Sequence, residues 1–409
     1  MSTVVENRDR AIVIGSGIAG LSAALEIGKT GQEVVIFDQA RFASGGVERS
    51  EITHPDQILR VNAKQAISNA LYTDYFYVPE RRLFLSHSVP ESYPPPVVSI
   101  DHKALLSSLR DQVLELSNVR IEEKAKVTRV SEDETGVTAR LGDNSFPGRF
   151  AVNASGAFGG GIEFNDETRS RQFSQAIVAV AYGRRLHGKI NLPDGEHAFL
   201  ASLSTNGSGR SSWVIASGED QIDVVWSDYA RKDQAGKVIN QAGKPGFQKL
   251  LKYIKEKGFV SVDNELGPMI GGIFGLESRR TRSGNTRIFD HGERGQIAAA
   301  SVGDSIGPTL RLSESLAQII ANNGTVEDFE KAEEEIFNRT YETAILRTRL
   351  NATVLGRGTE AIIKMLETMN IAQQFEFLKT HDMPKPVWLF LAKALIHYPP
   401  ISRIIAEQT

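Results

Sequence analysis

The sequence contains no cysteine among its 409 residues. This absence excludes disulfide bonds, thiolate nucleophiles, zinc ribbons and cysteine-ligated iron–sulfur clusters together. The eight histidines show no zinc-ligand spacing, and no Gly-x-Ser-x-Gly elbow of a serine hydrolase is present. We therefore expect no metal site, and any redox chemistry of this chain needs an organic cofactor.

A strong net charge and long hydrophobic runs are missing as well. Lysine and arginine number 47 against 50 aspartates and glutamates, a net charge of −3 that argues against a nucleic-acid partner. The most membrane-like segment, Val387 to Ile396, is too short to span a bilayer. We expect a cytoplasmic protein. The region from Pro384 to Ile405 is predicted to cover the substrate lobe or to rest peripherally on a membrane, with burial in the core as the alternative.

The chain is long enough for two or three lobes, and its 41% hydrophobic content is ordinary for a folded protein. Its first forty residues have the pattern of a βαβ unit. An apolar run, Ala11 to Ile14, is followed by an alanine-rich segment, Ile18 to Thr30, and by a second apolar run, Val34 to Phe37. Continuous apolar strands are typical of a sheet buried on both faces, so we expect a parallel, doubly wound sheet.

The rest of the chain divides by its pattern into strands, an excursion and helices. Asp101 is predicted to cap a helix that runs to about Leu116. Alternating polar and apolar residues between 172 and 273 predict a mainly antiparallel sheet, and helical spacing beyond 326 predicts a helical region. Short strands are expected at 119–122, 126–130, 136–141 and 149–152, and an irregular excursion at 42–99.

The segment Gly15-Ser16-Gly17-Ile18-Ala19-Gly20 has the pattern Gly-x-Gly-x-x-Gly. It follows the first predicted strand and opens the helix, and Asp38 ends the second strand, 18 positions after the last glycine. Gly15 permits a tight turn, Gly17 lets the backbone approach a pyrophosphate, and Gly20 lets helix and strand pack closely. The pattern predicts a dinucleotide site in which Asp38 binds ribose hydroxyls. A glycine turn without a ligand is the alternative.

Three segments, in this order, resemble the glutathione-reductase-type flavoproteins, in the branch of aromatic hydroxylases, geranylgeranyl reductases and lycopene cyclases. They are the glycine motif ending at Asp38, the segment Ala151 to Gly156, and the segment Ala298 to Asp304. Pro268 to Gly272 is similar to a Pro-x-Gly-Gly region of geranylgeranyl-reductase-like members, with one extra residue. The resemblance implies an α/β fold: a Rossmann-like FAD-binding domain with a parallel sheet, a β-rich substrate domain and a helical C-terminal region.

The resemblance also implies FAD as the cofactor and a division into domains. The FAD-binding domain would comprise 1–170 and 285–325, the substrate domain 60–100 and 171–284, and the helical region 326–409. Ser305 to Ser313 departs from the family's glycine-containing loop beside the flavin ring, which leaves the redox mode open. The residues implied to bind FAD are Gly15, Gly17, Ile18, Ala19, Gly20, Asp38, Gln39, Val127, Ser155, Gly156, Gly303 and Asp304.

The activity implied is that of an FAD-dependent oxidoreductase on a lipophilic small molecule, isoprenoid-like or polycyclic, whose carbon–carbon bond is reduced or oxidised. The alternatives are a flavin-dependent monooxygenase, a non-redox cyclase, and a non-catalytic flavin- or lipid-binding protein. No second Gly-x-Gly-x-x-Gly follows a strand, so electrons are expected from an external reductant, NAD(P)H or an electron-transfer protein. His54 and Arg49 are the candidate catalytic residues, with an ordinary surface or core role as the alternative for each.

Overall fold

The computed structural model describes residues 9–40, 49–78, 83–156, 162–164, 177–202, 212–218, 220–275, 287–292, 305–333, 335–336 and 370. Its strands, in chain order, are β1 (Ala11–Ile14), β2 (Val34–Phe37), β3 (Ser50–Thr53), β4 (Ile67–Leu71), β5 (Thr73–Val78), β6 (Leu83–Ser88), β7 (Val97–Asp101), β8 (Val119–Glu122), β9 (Arg129–Asp133), β10 (Gly136–Leu141), β11 (Asn144–Gly148), β12 (Phe150–Asn153), β13 (Glu163–Phe164), β14 (Ile177–Ile190), β15 (Ala198–Ser202), β16 (Ser212–Gly218), β17 (Gln221–Arg231), β18 (Val260–Gly275) and β19 (Ile288–Asp290). Its α-helices are α1 (Ile18–Lys29), α2 (Pro55–Arg60), α3 (His102–Leu114), α4 (Ala235–Val238), α5 (Lys244–Glu256) and α6 (Ile306–Ala321), followed by helical residues 326–333.

A five-stranded parallel sheet, in the order β19-β12-β1-β2-β8, forms the centre of the amino-terminal lobe. Alternate residues of β1 enter two different cores: Val13 packs with the helices α1, α3 and α6, and Ile12 packs with β9 and β10. Burial on both faces explains why β1 has no polar residue. The parallel sheet is confirmed.

The second face of this sheet is covered by strands, which corrects the expectation of a doubly wound sheet with helices on both sides. β9, β10 and β11 form an antiparallel sheet, and β13 joins it parallel to β9. Phe146 of β11 lies against Phe37 of β2, with 5.0 Å between ring centroids. A layer of helices and a layer of strands would bury the same apolar side chains of the parallel sheet. The sequence of its strands therefore does not show which of the two layers covers it.

The strand predicted at 126–130 begins later than expected, at Arg129. Lys124 adopts a left-handed conformation with φ of 57°, and the Ala125 amide donates to the Asp38 carbonyl oxygen at 2.7 Å. These contacts hold the chain beside the end of β2 and delay its pairing with β10. Val127 therefore lies in the connection before β9.

The carboxyl side of the chain builds a seven-stranded sheet in the order β18-β14-β17-β16-β15-β5-β6. Its pairs are antiparallel except β15 with β5. α5 covers one face, where Phe247 and Leu250 share a core with Trp226 of β17. The mainly antiparallel sheet expected between 172 and 273 is confirmed.

The stretch predicted as an irregular excursion, 42–99, contains regular structure where it is described. It includes α2, and β5 and β6 extend the seven-stranded sheet. β3, β7 and β4 form a separate three-stranded sheet, and Ser99 Oγ of β7 donates to the Ala216 carbonyl oxygen at 3.0 Å. The aromatic residues that made this stretch look irregular include Tyr75, which is buried in β5.

The helix predicted after Asp101 is confirmed as α3, with the Asp101 carboxylate accepting the Ala104 amide hydrogen at 2.9 Å. In the described part of the chain, no helix combines the length and the apolar character needed to cross a membrane. The region from Pro384 to Ile405 lies outside the described residues.

Candidate FAD site

The glycine motif forms the turn between β1 and α1. Gly15 has φ of +100°, and a Cβ atom there would lie 2.5 Å from the Ala154 carbonyl oxygen. A Cβ atom on Gly20 would lie 1.8 Å from the Gly15 carbonyl oxygen. These two glycines therefore allow the turn, the first turn of α1 and the end of β12 to pack together, which no larger residue would permit.

Gly17 differs from these two glycines because it faces open space. It is the N-cap residue of α1 with an ordinary φ of −72° and no side-chain cap, and a Cβ atom on it would meet no atom within 4 Å. The first amides of a helix have no partner within the helix, and the helix dipole is positive at this end. Open space in front of free amides fits a phosphate group, so the loop can accept the pyrophosphate of a dinucleotide.

Asp38 follows β2 and is bonded to the glycine turn. Its Oδ2 accepts hydrogen bonds from the Ser16 amide at 2.6 Å and the Ser16 hydroxyl at 2.7 Å, and its Oδ1 accepts the Ala40 amide hydrogen at 2.7 Å. A carboxylate accepts about four hydrogen bonds, so about one position remains for a ribose hydroxyl. Asp38 thus fixes the turn as well as offering an acceptor to a ligand.

Ser155 and Gly156 lie beyond the carboxyl end of β12, the strand that pairs with β1 on the side opposite β2. The Ser155 hydroxyl donates to Asn153 Oδ1 at 2.7 Å, and Gly156 has φ of +73° with open space where a Cβ would lie. The structure therefore gathers the residues predicted after three adjacent parallel strands at one edge of the sheet. Such an edge is where ligands bind in open α/β sheets.

The remaining predicted residues have different environments. Ile18 and Ala19 lie in the first turn of α1, and Gln39 is exposed next to Asp38. Val127 is buried in the core that contains Ile14 and Phe37, which leaves 3% of its surface exposed. Gly303 and Asp304 lie outside the described residues, as does the rest of the segment Ala298 to Asp304.

Residues 9–155 match the family model described as FAD binding domain. This part of the chain is an FAD-binding domain. It contains the glycine turn, Asp38 and Ser155, so the expected cofactor, FAD, is confirmed. The assignment of single residues to parts of FAD stays a prediction.

Comparison with solved structures gives the same fold for nearly the whole chain. A geranylgeranyl bacteriochlorophyll reductase-like protein from Thermoplasma acidophilum is 13% identical, with a TM-score of 0.71 over 98% of this chain and 99% of that chain. A p-nitrophenol 4-monooxygenase from Pseudomonas putida is 14% identical, with a TM-score of 0.58 over 94% of this chain and 97% of that chain. HpxO from Klebsiella pneumoniae, solved with FAD and uric acid, is 15% identical, with a TM-score of 0.58 over 93% and 99% of the two chains. No curated protein matches the sequence.

The predicted α/β fold is confirmed by these similarities. The chain thus has an FAD-binding domain and a fold that is also found in reductases and monooxygenases.

We expect Asp38→Ala to weaken FAD binding about ten-fold or more, because it removes the acceptor predicted to bind the ribose and releases Ser16 from the carboxylate. Asp38→Asn keeps one oxygen acceptor and should lose less affinity. Titration of the apoprotein with FAD, followed by flavin fluorescence, measures both changes. Equal affinity for wild type and Asp38→Ala would show that this carboxylate has no part in the site.

Arg49, one of the two catalytic candidates, is paired with a carboxylate at the start of β3. Its Nε lies 2.5 Å from Glu51 Oε1, and His102 Nδ1 lies 2.8 Å from the same oxygen. Burial alone would raise the pKa of Glu51, but the charges and hydrogen bonds of Arg49 and His102 outweigh it and lower this pKa to about 2. Arg49 is therefore held in an ion pair that links β3 to the start of α3.

His54, the other candidate, is the N-cap residue of α2 and makes no side-chain cap bond to that helix. It is partly buried at the end of β3. Catalysis by His54 or Arg49 stays a prediction.

Sequence reasoning missed a buried ion pair where the seven-stranded sheet meets β3. Asp223 is fully buried, and its two oxygens lie 2.8 Å from Arg185 Nε and 3.1 Å from Arg185 Nη2. Asp223 Oδ2 also accepts the Ser50 amide hydrogen at 2.5 Å, and Arg185 Nη2 donates to the Ser50 hydroxyl at 3.1 Å. A charged residue inside the apolar run Ile222 to Trp226 was the available signal. The pair joins the seven-stranded sheet to the segment that begins at Arg49.

A second missed group lies behind the glycine turn, between α1 and α6. His291 is fully buried after β19, and its Nε2 lies 2.9 Å from Ser313 Oγ, which in turn lies 2.8 Å from Ser22 Oγ of α1. His291 Nδ1 is buried and has no hydrogen-bond partner among the residues that the structure describes. Burial lowers the pKa of His291 to about 3, so the ring is neutral at physiological pH.

This burial predicts an acid sensitivity that starts well above the titration range of carboxylates. Between pH 6.5 and about 3, His291 is protonated in the unfolded chain but stays neutral in the folded protein. The free energy of unfolding therefore decreases as the pH falls through this range. At 1.36 kcal/mol per pH unit, about 2 kcal/mol should be lost between pH 6.5 and 5. The lowered pKa of Glu51 reduces the free energy of unfolding further only as the pH falls below 4.5. Urea unfolding of wild type and His291→Leu at pH 7.5 and pH 5 measures the difference; an equal pH dependence in the two proteins would contradict this account.

Proposed function

We propose that the chain is an FAD-dependent oxidoreductase that reduces a carbon–carbon double bond in a lipophilic, isoprenoid-like or polycyclic molecule. The observation that carries the proposal is an apolar face on the seven-stranded sheet. Ala181, Val225 and Ile270 form a buried cluster there, and the partly exposed Trp213 packs against it, so a substrate would reach this face at Trp213. Tyr182 and Trp226 belong to the opposite face, which α5 covers.

This apolar face is on the same side of the sheet as Asp223, because Val225 is two residues further along β17 and side chains alternate along a strand. Asp223 contacts Ser50 of β3, so this side is turned towards the segment that leaves the FAD-binding domain. The Asp223 charge is matched by Arg185. The face thus supports a substrate held by apolar contacts, since the Asp223 charge is already paired within the protein.

Gly272 gives this face room. It is partly exposed in β18, where it pairs with Ala181 of β14, whereas Gly271 pairs with Tyr182 on the side that α5 covers. A side chain at position 272 would thicken the sheet surface beside Ala181. Its absence supports close approach of a flat or extended hydrocarbon, and it gives the resemblance of Pro268 to Gly272 a physical meaning.

We assign the predicted residues to the parts of FAD as follows. The amides at Gly17, Ile18 and Ala19 hold the pyrophosphate, Asp38 accepts from the adenosine ribose, and Asp304 binds the ribityl chain. Val127, Ser155 and Gly156 lie beside the adenosine part. FAD supplies hydride transfer when it is bound, and the protein orients the substrate and excludes water from it.

The domain division and the electron source belong to the same proposal. The FAD-binding domain takes 1–170 with 285–325, the substrate domain takes 60–100 with 171–284, and 326–409 forms the helical region. The pairing of β5 and β6 into the seven-stranded sheet supports the assignment of 60–100. An external reductant, NAD(P)H or an electron-transfer protein, supplies two electrons per turnover.

Two comparisons bear on the reaction. The Thermoplasma protein, described as geranylgeranyl bacteriochlorophyll reductase-like, has the same fold over nearly the full length of both chains, which supports the reductase. A flavin-dependent monooxygenase is the second candidate, supported by the fold shared with the Pseudomonas putida monooxygenase. The reductase adds two hydrogens to its substrate and the monooxygenase adds one oxygen atom.

Oxygen dependence separates the two. FAD-loaded protein is reduced with dithionite under nitrogen and mixed with a polyprenyl lipid, and flavin absorbance and product mass are followed. We expect the flavin to be reoxidised without oxygen and the product to gain two hydrogen atoms. A product that forms only in air and gains one oxygen atom would overturn the reductase in favour of the monooxygenase. An isomerised product of unchanged mass would mark a cyclase, and unchanged lipid in both atmospheres would mark a non-catalytic binding protein.

A further inference from the structure

The segment 232–258 of the substrate lobe concentrates positive charge. It contains seven lysines, one aspartate and one glutamate, a net charge of +5, whereas the whole chain carries −3. The remainder of the protein therefore carries −8. Charge segregated in this way creates a local positive potential on a protein that is acidic elsewhere.

α5 displays much of this charge on one side. Lys244, Lys249, Lys252 and Lys255, which we call the lysine face, are all exposed. Phe247, Leu250 and Ile254 are buried on the opposite side of the helix, together with Gly246, against the seven-stranded sheet. The core contacts fix the rotation of α5, and the lysine face points to solvent as a consequence.

Little negative charge offsets the lysine face. Of the carboxylates that the structure describes, Glu256 pairs with this face, at 3.7 Å from Lys252 Nζ, and both side chains are more than half exposed. Lys255 Nζ lies 3.5 Å from the Val262 carbonyl oxygen, which carries no net charge. Four lysines against this one glutamate leave the lysine face with a net positive charge.

We propose that the lysine face docks the protein on an anionic lipid membrane. Phosphate and carboxylate headgroups attract clustered lysines and need no shaped pocket. A protein partner would favour aromatic and arginine anchors with an apolar centre, and lysine is depleted in such interfaces. Among the described residues the exposed large hydrophobic side chains are Leu59, Tyr93 and Leu114, and none of them lies in α5. The composition of the face therefore fits headgroups better than a protein surface.

Docking through α5 would place the bilayer on the side of the seven-stranded sheet away from Asp223. α5 covers one face of that sheet, and Asp223 on the other face contacts β3. A bilayer held against the lysine face would therefore not cover the apolar face formed by Ala181, Val225 and Ile270. The inference goes beyond the proposed reaction and does not depend on the substrate.

The test uses the full chain loaded with FAD and co-sedimentation with vesicles. One vesicle preparation is phosphatidylcholine alone, and the other is equimolar phosphatidylcholine and phosphatidylserine. We expect binding to the anionic vesicles only, with a loss at high salt because screening shortens the range of the attraction. Lys249→Glu with Lys252→Glu should lower the partition coefficient about ten-fold or more.

The matched control is Lys64→Glu with Lys331→Glu, which makes the same change in net charge at exposed lysines outside the lysine face. This control should lose far less binding than the Lys249 and Lys252 variant. Equal losses in the two variants, or no binding of wild type to anionic vesicles, would overturn the proposal. Lysine-dependent binding of an acidic ferredoxin without binding of vesicles would overturn it too, and would identify the lysine face as a protein-docking surface.

Discussion

Gly17→Val is expected to abolish FAD binding and to leave the fold intact. The φ of −72° at Gly17 suits any residue, and the added side chain would meet no protein atom at its Cβ position. Within the protein, the change costs at most about 1 kcal/mol as a poorer N-cap residue. The valine would instead occupy the space in front of the helix amides, where the pyrophosphate is expected.

The loss of affinity should be large because several contacts disappear together. Hydrogen bonds to a charged group contribute about 1.5–3 kcal/mol each, so losing two of them weakens FAD binding at least about 100-fold. Flavin absorbance per protein after dialysis measures the loss of FAD binding. The thermal unfolding midpoint of the apoprotein shows whether the fold is intact. Gly236→Val is the matched control, since a Cβ on this exposed glycine of α4 also meets nothing within 4 Å. Full flavin occupancy in Gly17→Val would place the phosphates elsewhere.

Asp223→Ala is expected to destabilise the protein strongly. It leaves the Arg185 guanidinium, whose side chain is 13% exposed, without a counter-charge, and it removes the acceptor of the Ser50 amide. Removing one partner of a buried ion pair costs about 3–5 kcal/mol. The midpoint of urea unfolding, followed by tryptophan fluorescence, should fall accordingly, because Trp226 lies on the same strand.

Two further variants show whether the effect comes from an unpaired charge. Asp223→Leu combined with Arg185→Met removes both charges and should recover most of the lost stability, because apolar replacements of buried pairs are well tolerated. Asp233→Ala breaks an exposed pair with Arg231 and should change stability little. If the double variant is as unstable as Asp223→Ala, packing rather than charge determines the loss.

The amino-terminal part of the fold was predictable because local sequence determines it. The apolar runs of β1 and β2, the glycine turn and the position of Asp38 all follow from short-range requirements of a βαβ unit. The cap of α3 at Asp101 was predictable for the same reason, since a capping carboxylate bonds to an amide three residues away.

Long-range partners were not predictable from one sequence. The cover of the parallel sheet by β9, β10 and β11 depends on surfaces that helices could equally bury. Asp223 bonds to Ser50, which lies 173 positions away in sequence, and Ser313 bonds to both His291 and Ser22. No local sequence pattern predicts either group of contacts. The strands β5 and β6 were missed because they complete a sheet through a distant partner: Thr73 of β5 pairs with Ala198 of β15, and 198 − 73 = 125 positions separate them.

The most direct test of the account is the absorbance spectrum of the purified full-length protein, with identification of the cofactor released by heat. We expect a yellow protein with the two flavin bands and release of FAD. A colourless protein that takes up no added FAD, while binding NAD, would contradict the assignment of residues 9–155 as an FAD-binding domain.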